Sequence, residues 1–427
     1  MSNEKPTSTR PEPWISVIGI EEDGVRGLSD LGLSLIKDCD ILLAGQRHLD
    51  MVSDDLSPKA ERMTWPSPFS STFSIIAEMK GKQVVILATG DPMFCGIGGT
   101  LTRFFDWSEL RVLPAKSAYS LAASRIGWPL DKCSLLTIHG RDPAGIVPHI
   151  QPGAKLIILS KNGGSPSLLA SKLCEIGAND AEITVLEHMG GEKEKIIETS
   201  AHALSEAGDA LPFADLNVIA VEIPSDFRNW LSTSPGLPDD AFEHDGKMTK
   251  RDIRASALAK LAPRPGAHLW DVGTGCGSIA IEWLRAAPNT SAIGLEPQEK
   301  RRAFAKHNAK TLGVPRLQLI DGTAPDGLMG LDGPDAIFVG GGLSSETLNF
   351  CLDALKPGGR LVAHAVTLSS EALLLSCFSE HGGELTRLSI AKAQPVGLHF
   401  GWKASMPVTQ WVYVKGNDIK KQEGLAS

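Results

Sequence analysis

Asp271-Val272-Gly273-Thr274-Gly275-Cys276-Gly277 decides the fold of the C-terminal half. The apolar run His268-Leu269-Trp270 before it reads as a strand, and Ser278-Ile279-Ala280-Ile281-Glu282-Trp283-Leu284 after it reads as a helix. Glu296 closes the next strand-like run, Ala292-Ile293-Gly294-Leu295. Glycines in such a turn let the backbone approach a ligand closely, at the carboxyl edge of an open α/β sheet. The dinucleotide fingerprint is spaced G-x-G-x-x-G. Here the spacing is G-x-G-x-G, Ser278 takes the place of the packing glycine, and two acids flank the turn.

This pattern resembles the S-adenosylmethionine site of Rossmann-like (class I) methyltransferases. That ligand carries an ammonium, a sulfonium and a ribose diol, and no phosphate. The resemblance implies Asp271 as partner of the ammonium and Glu296 as partner of the ribose hydroxyls. Gly273, Gly275 and Gly277 would then form the donor turn. A glycine turn in another α/β domain is the bland alternative, because one fold hosts many functions.

A chain of 427 residues is expected to form two or three domains. Its composition, 42% hydrophobic and 22% charged, is that of a globular protein. A net charge of -8 argues against wholesale nucleic-acid binding. The seven cysteines are odd in number and include no CxxC, which predicts free thiols in a reducing compartment and no metal site. No signal-like or membrane-length apolar run occurs, so a cytoplasmic protein without membrane contact is expected. Residues 1–13, polar with three prolines, read as a disordered tail, and residues 416–427 as a polar tail.

Strand-like runs at 14–20, 41–44, 83–88, 155–159, 183–186 and 217–222 alternate with helical stretches, which predicts parallel sheets covered by helices. One such helix would bury Leu28, Leu31, Leu35 and Ile36. Residues 226–247 lose periodicity and read as a linker and lead-in. Strands are expected again at 268–271, 292–296, 316–320, 335–339 and 360–366, with Val408 to Val414 as an edge strand. The halves share no repeat. The fold class is therefore α/β twice over, with domains at 14–225 and 248–415.

In the first half, Thr89-Gly90-Asp91-Pro92 ends a strand and is followed by Gly96, Gly98 and Gly99. Pro114-Ala115-Lys116-Ser117, His139-Gly140-Arg141 and His188-Met189-Gly190-Gly191-Glu192-Lys193-Glu194 come later. Each motif is weak alone. In this order they resemble the tetrapyrrole (class III) methyltransferases, a two-lobed fold, over roughly residues 14–225. Ile41-Leu42-Leu43-Ala44-Gly45-Gln46-Arg47-His48-Leu49 resembles the members that methylate carbon 5 of precorrins. The resemblance implies donor contacts at Gly90, Asp91, Pro92, Ser117 and Ala118, and substrate contacts at His139 and Arg141. Glu21 departs from the family's Gly-x-Gly and is expected to face solvent, away from a polyacidic substrate.

In the second half, Met248-Thr249-Lys250-Arg251-Asp252-Ile253-Arg254 reads as a helix start with Thr249 as N-cap. Lys250 and Arg254, four apart, share a face and can hold carboxylates. Gly340-Gly341-Gly342 follows the strand at 335–339 where base-amine methyltransferases carry an Asn/Asp-Pro-Pro motif, and clears the strand tip for a large flat substrate. His364 and Thr367 end the next strand and are candidates to project into the cleft.

These segments resemble the carbon-15-methylating, decarboxylating enzymes of corrin biosynthesis over about residues 235–414. The family has Asp where Thr323 stands in Gly322-Thr323-Ala324, the expected adenine side of the donor, and Asn where His364 stands. Together the resemblances imply a bifunctional enzyme of cobalamin biosynthesis with one S-adenosyl-L-methionine per domain. It would methylate carbons 5 and 15 of precorrin-6B and decarboxylate the ring C acetate, giving precorrin-8. Lys250, Arg254, His364 and Thr367 are the expected catalytic set. The implied partners are the precorrin macrocycle, neighbouring corrin-pathway enzymes and a second copy through the C-terminal domain. A cobalt-containing substrate, an RNA methyltransferase with an accessory domain, and a tetrapyrrole carrier with one decayed half stay open.

Overall fold

The computed structural model describes residues 12–416, so nearly all of both expected tails lies outside the described residues. The chain forms two compact units. The first runs to Arg141 and resumes over Pro152–Asn229. The second takes Asp142–Gln151 and everything from Trp230.

The first unit holds two five-stranded sheets. One has the order Glu61–Thr64, Ile41–Ala44, Val84–Thr89, Ile15–Ile20, Leu110–Leu113, with every neighbouring pair parallel. Its inner strands are apolar without alternation because both faces are buried. The other sheet has the order Cys133–Thr137, Lys155–Leu159, Asn217–Glu222, Glu182–Glu187, Lys195–Ser200. Only its first pair is parallel, against the parallel expectation. Glu182–Glu187 and Lys195–Ser200 are joined by residues 188–194, too few for the crossover that parallel neighbours need. Leu31 also differs from expectation, being half-exposed. The helix begins only at Asp30, capped by Ser29, so Leu28 packs from the preceding turn and does not set the helix face.

The second unit is built on a seven-stranded sheet. Its order is Gln318–Ile320, Ser291–Leu295, His268–Val272, Ala336–Val339, Arg360–Ala365, Val408–Val414, Glu384–Leu388. The first five strands are mutually parallel, and Val408–Val414 runs antiparallel to both of its neighbours, Arg360–Ala365 and Glu384–Leu388. Val408–Val414 is thus interior, not an edge: Glu384–Leu388 pairs along its far side, and Trp411 and Gln410 are fully buried. Alternation divides the core between the two sheet faces. Leu269 and Phe338 pack with the helices Arg251–Leu261 and Ser278–Ala286. Trp270 and Ile337 pack with Ser345–Ala354 and Leu368–His381. A hairpin, Ala391–Val396 with His399–Ala404, forms a separate two-stranded sheet with almost no buried residue.

Candidate functional site

At the carboxyl ends of the second unit's parallel strands lies a cavity of about 800 Å³. Its floor is the glycine turn. Gly273, Gly275 and Gly277 have φ of 72°, 57° and 83°, a region that a β-carbon disfavours. A β-carbon on Gly273 would also lie 2.7 Å from Gly341, so the two glycine segments are packed backbone to backbone. Gly340 likewise makes room for the Phe338 ring, whereas Gly342 faces open space. All three of Gly340, Gly341 and Gly342 line the cavity, as do Gly322, Thr323 and Ala324.

Asp271 is buried on this floor. Its Oδ2 accepts from Thr274 Oγ1 at 2.5 Å and from the Ala280 amide at 3.1 Å. Its Oδ1 is buried with no partner among the described residues. Burial pushes this carboxyl up to about 6. A buried, unpaired acceptor is costly unless a donor arrives, so the site fits a ligand ammonium. Glu296 accepts from the amides of Gly275 (3.0 Å) and Gln298 (3.1 Å) and still borders the cavity.

Four cations line the same cavity: Lys247, Lys250, Arg301 and Lys392. Arg301 pairs with Asp245 at 2.9 Å and Lys392 with Asp252 at 3.4 Å. Lys247 and Lys250 form no ion pair with any described residue. His364 lines the cavity too, with its Nε2 2.9 Å from Gln410 Oε1 and its ring edge-on to Phe338. Desolvation lowers its pKa to about 4, so this imidazole is neutral near pH 7.

Two expected site residues of the second unit are corrected. Arg254 is fully buried and does not reach the cavity. Its Nε donates to Glu282 at 2.5 Å, and its Nη1 to Asp239 at 3.1 Å and the Thr249 carbonyl at 2.6 Å. Glu282 also accepts from the amides of Gly236 and Leu237, so the arginine fastens the lead-in to the sheet's helices. Thr367 is an N-cap: its Oγ1 accepts from Ser370 N, and Val366, not Thr367, borders the cavity. The helix start differs as well. Lys250, not Thr249, holds the cap position without a side-chain bond, and Asp239 Oδ1 accepts from Arg251 N at 2.9 Å instead.

The first unit has a smaller cleft, about 60 Å³, lined by Glu21, Glu22, Arg47, Thr89, Gly90, Lys116, Ala118 and His188 among others. Of the five residues matched to the donor, Gly90 and Ala118 line it. The other three shape its loops. Asp91 Oδ1 accepts from Met93 N at 2.9 Å, Ser117 caps the helix Ala118–Ile126, and the Pro92 carbonyl is approached so closely that Gly96 and Gly98 admit no side chain. His139 and Arg141 are exposed and lie outside the cleft lining. Glu21 does not face solvent. It accepts from the Lys116 amide at 3.0 Å and borders the cleft. Glu22 carried no sequence signal of its own, and Lys116 was only a variable position of the motif Pro114–Ser117. Arg47 and His188 lay inside motifs whose polar partners are remote in sequence.

A model of tetrapyrrole (corrin/porphyrin) methylases matches residues 15–205, and one of a precorrin methyltransferase domain matches 240–415. The precorrin-6Y C(5,15)-methyltransferase (decarboxylating) of Sinorhizobium sp. is 44% identical over 97% of this chain and 99% of its own length. The chain belongs to the precorrin-6Y C(5,15)-methyltransferase family. A relative of the same description from Mycobacterium tuberculosis is 38% identical over 94% of this chain and 100% of its own. A probable cobalt-precorrin-6B C(15)-methyltransferase (decarboxylating) of Saccharolobus solfataricus is 33% identical over 42% of this chain and 95% of its own. The solved C-terminal domain of precorrin-6Y C5,15-methyltransferase from Rhodobacter capsulatus is 45% identical, covering 43% of this chain and 100% of that domain, with a TM-score of 0.42. Membership makes the chain a methyltransferase that draws on S-adenosylmethionine, and sets aside the RNA methyltransferase reading. Among the described residues, no helix is long and apolar enough to cross a membrane, and no cluster of three or more His, Cys, Asp or Glu could hold a metal.

Proposed function

We propose that the two units divide the family's reaction on one precorrin-6B macrocycle. Residues 14–225 methylate carbon 5. Residues 248–415 methylate carbon 15 and release the ring C acetate as carbon dioxide, giving precorrin-8. Each unit uses its own S-adenosylmethionine. The observation that carries this reading is that each unit has its own cleft behind a glycine turn at the end of a parallel sheet.

In the second unit Asp271 Oδ1 would take the donor's ammonium and Glu296 the ribose hydroxyls, with Gly322, Thr323 and Ala324 beside the adenine. The donor supplies an electrophilic methyl group. Lys247 and Lys250, free of internal partners, hold substrate carboxylates, and the glycines at 340–342 leave room for a flat ring. Bridging carbons of the macrocycle are already enamine-like nucleophiles, so alignment to about 3 Å supplies most of what methyl transfer needs. Neutral His364 beside Phe338 offers no cation to the acetate, and transfer of a carboxylate from water to such a surface favours its loss.

The unit self-associates through the hairpin at 391–404, where Leu398, Phe400 and Trp402 are 99%, 77% and 80% exposed. The protein acts in the cytoplasm, alongside enzymes that supply and consume its macrocycle. Incubation with precorrin-6B and isotopically labelled donor tests the function. The expected mass change is two methyls gained and one carbon dioxide lost. A single methyl, or no loss of carbon dioxide, overturns the division of labour.

A further inference from the structure

A line of polar side chains crosses the first unit's cleft beside Gly90. Glu22 lies just past the strand Ile15–Ile20, and His188 just past Glu182–Glu187 of the other sheet. Glu22 accepts from the Arg47 guanidinium and from His188 Nδ1, the latter at 3.0 Å. Arg47 also reaches Thr89 Oγ1 at 3.1 Å and His48 Nε2 at 3.0 Å.

Proton positions follow from these partners. A guanidinium only donates, so His48 Nε2 is a lone-pair nitrogen. A carboxylate only accepts, so neutral His188 carries its proton on Nδ1. The lone pair of His188 is therefore on Nε2, which no described residue engages by a hydrogen bond. His48 is buried, and its lone-pair Nε2 is already engaged by Arg47 and Thr89. His188 borders the cleft with its side chain 27% exposed.

The backbone is shaped to keep this arrangement. His188 has φ of 47°, a conformation that a β-carbon disfavours. A β-carbon at Gly191 would lie 2.9 Å from Glu22 Cβ, so the bare turn at 190–191 is what lets the carboxylate sit under the imidazole. A histidine fixed by a carboxylate on one nitrogen, with the other free in a cleft, is the arrangement of an oriented general base.

We propose that His188 is the proton acceptor of carbon-5 methylation, with Glu22 and Arg47 as its positioning residues; the inference rests on the carbon-5 assignment made above. The π-electron pair at carbon 5 forms the new bond to the methyl carbon. The carbon–sulfur bond breaks with its electrons retained on sulfur, so the sulfonium becomes a thioether and the macrocycle becomes a cation. A ring N–H or an adjacent C–H then gives its proton to His188 Nε2, and the released electron pair neutralises the ring. Glu22 stabilises the imidazolium, which later returns its proton to water.

The test uses the full chain with precorrin-6B and labelled donor, following the two methylations separately under single turnover. His188→Ala is expected to slow carbon-5 methylation about 100-fold, with carbon-15 methylation, carbon dioxide release and donor affinity unchanged. Added imidazole should restore part of the lost rate. His188→Gln, which keeps a hydrogen bond to Glu22 but has no base, should be as slow. In histidine-labelled protein without substrate, nitrogen NMR should show the His188 Nδ1–H tautomer, and Glu22→Gln should erode it. Normal carbon-5 methylation in His188→Gln overturns the proposal. So does a slow His188→Ala that imidazole does not restore, or a slow variant whose donor affinity falls in parallel. If the unsubstituted chain adds no methyl at carbon 5, the underlying assignment fails instead.

Discussion

Asp271 and Arg254 differ in how much of their surroundings lies near them in sequence. The setting of Asp271 is local: its Oδ2 is held by Thr274 in the motif and by Ala280 in the helix that follows it. Arg254 looked like a carboxylate anchor because its partners, Glu282 and Asp239, lie well away in sequence. Only folding reveals that its charge is already satisfied. Arg254→Ala should therefore destabilise the second unit by about 3–5 kcal/mol, the cost of stranding Glu282 in the interior. Urea unfolding should record this loss, while the fraction still folded binds donor and macrocycle normally.

Asp271 makes the pH prediction. Its pKa in the folded protein is raised to about 6 by burial, against 3.8 unperturbed. Below about 6 it is neutral and has no charge to offer an ammonium. Donor affinity at the second unit should thus fall as pH drops through 6, approaching about tenfold per pH unit. The apo unit should behave oppositely, gaining stability as pH falls from 6 toward 4, because the folded state holds a proton that the unfolded chain has lost. Calorimetric titration across pH 5–8 checks the first part, with Asp271→Asn expected to bind weakly and without that dependence.

At the level of elements, legibility followed burial. Strands covered on both faces announce themselves as continuous apolar runs, as Ile41–Ala44 and Val84–Thr89 do. The hairpin Ala391–Val396 and His399–Ala404 has no buried face, so no periodicity marks it. Val408–Val414 was visible as a strand, but its position was not, since buried Thr409 and Gln410 imitate an exposed polar face. If the hairpin is a self-association surface, Phe400→Glu with Trp402→Glu should lower the sedimenting mass without altering the circular dichroism spectrum. A dissociated wild type, or an unchanged mass in the variant, removes that role.

The two glycine segments allow a sharper contrast. Gly273 needs positive φ and has Gly341 where its β-carbon would lie. Gly341 itself would place a β-carbon 3.6 Å from Gly273, an ordinary contact. Gly273→Ala should therefore disrupt the donor turn and abolish donor binding. Gly341→Ala should fold and bind donor, yet bind the macrocycle more weakly if that glycine clears space for the ring. Equal loss of donor binding in both variants would mean that Gly341 serves only the turn.

At the scale of the molecule, length and two unlike glycine motifs were enough to indicate two α/β folds. The path of the chain was not legible. Asp142–Gln151 leaves the first unit and packs into the second, placing Val147 and Pro148 against a bare Gly313, whose β-carbon would lie 2.4 Å from Pro148 and 2.8 Å from Val147. Nothing in a short polar-flanked stretch announces such a long-range destination. It has a consequence for cutting the chain between Asn229 and Trp230. The second unit has its own seven-stranded sheet with an apolar core on each face of it, so the piece from Trp230 onward carries what independent folding needs. The piece from Trp230 onward should fold, bind donor, and release carbon dioxide from precorrin-6B with addition of one methyl. It should also melt lower than the same unit in the intact chain, because the surface covered by Val147 and Pro148 is exposed. Burial of one side chain of valine's size stabilises by about 1.5–3 kcal/mol, which corresponds to a drop on the order of 5 °C. Extending the fragment with residues 142–151 as a separate peptide should recover part of that loss. A piece that melts as high as the intact unit would show that the excursion contributes nothing to it, and a folded piece that binds donor but releases no carbon dioxide would take the decarboxylation away from this half of the chain.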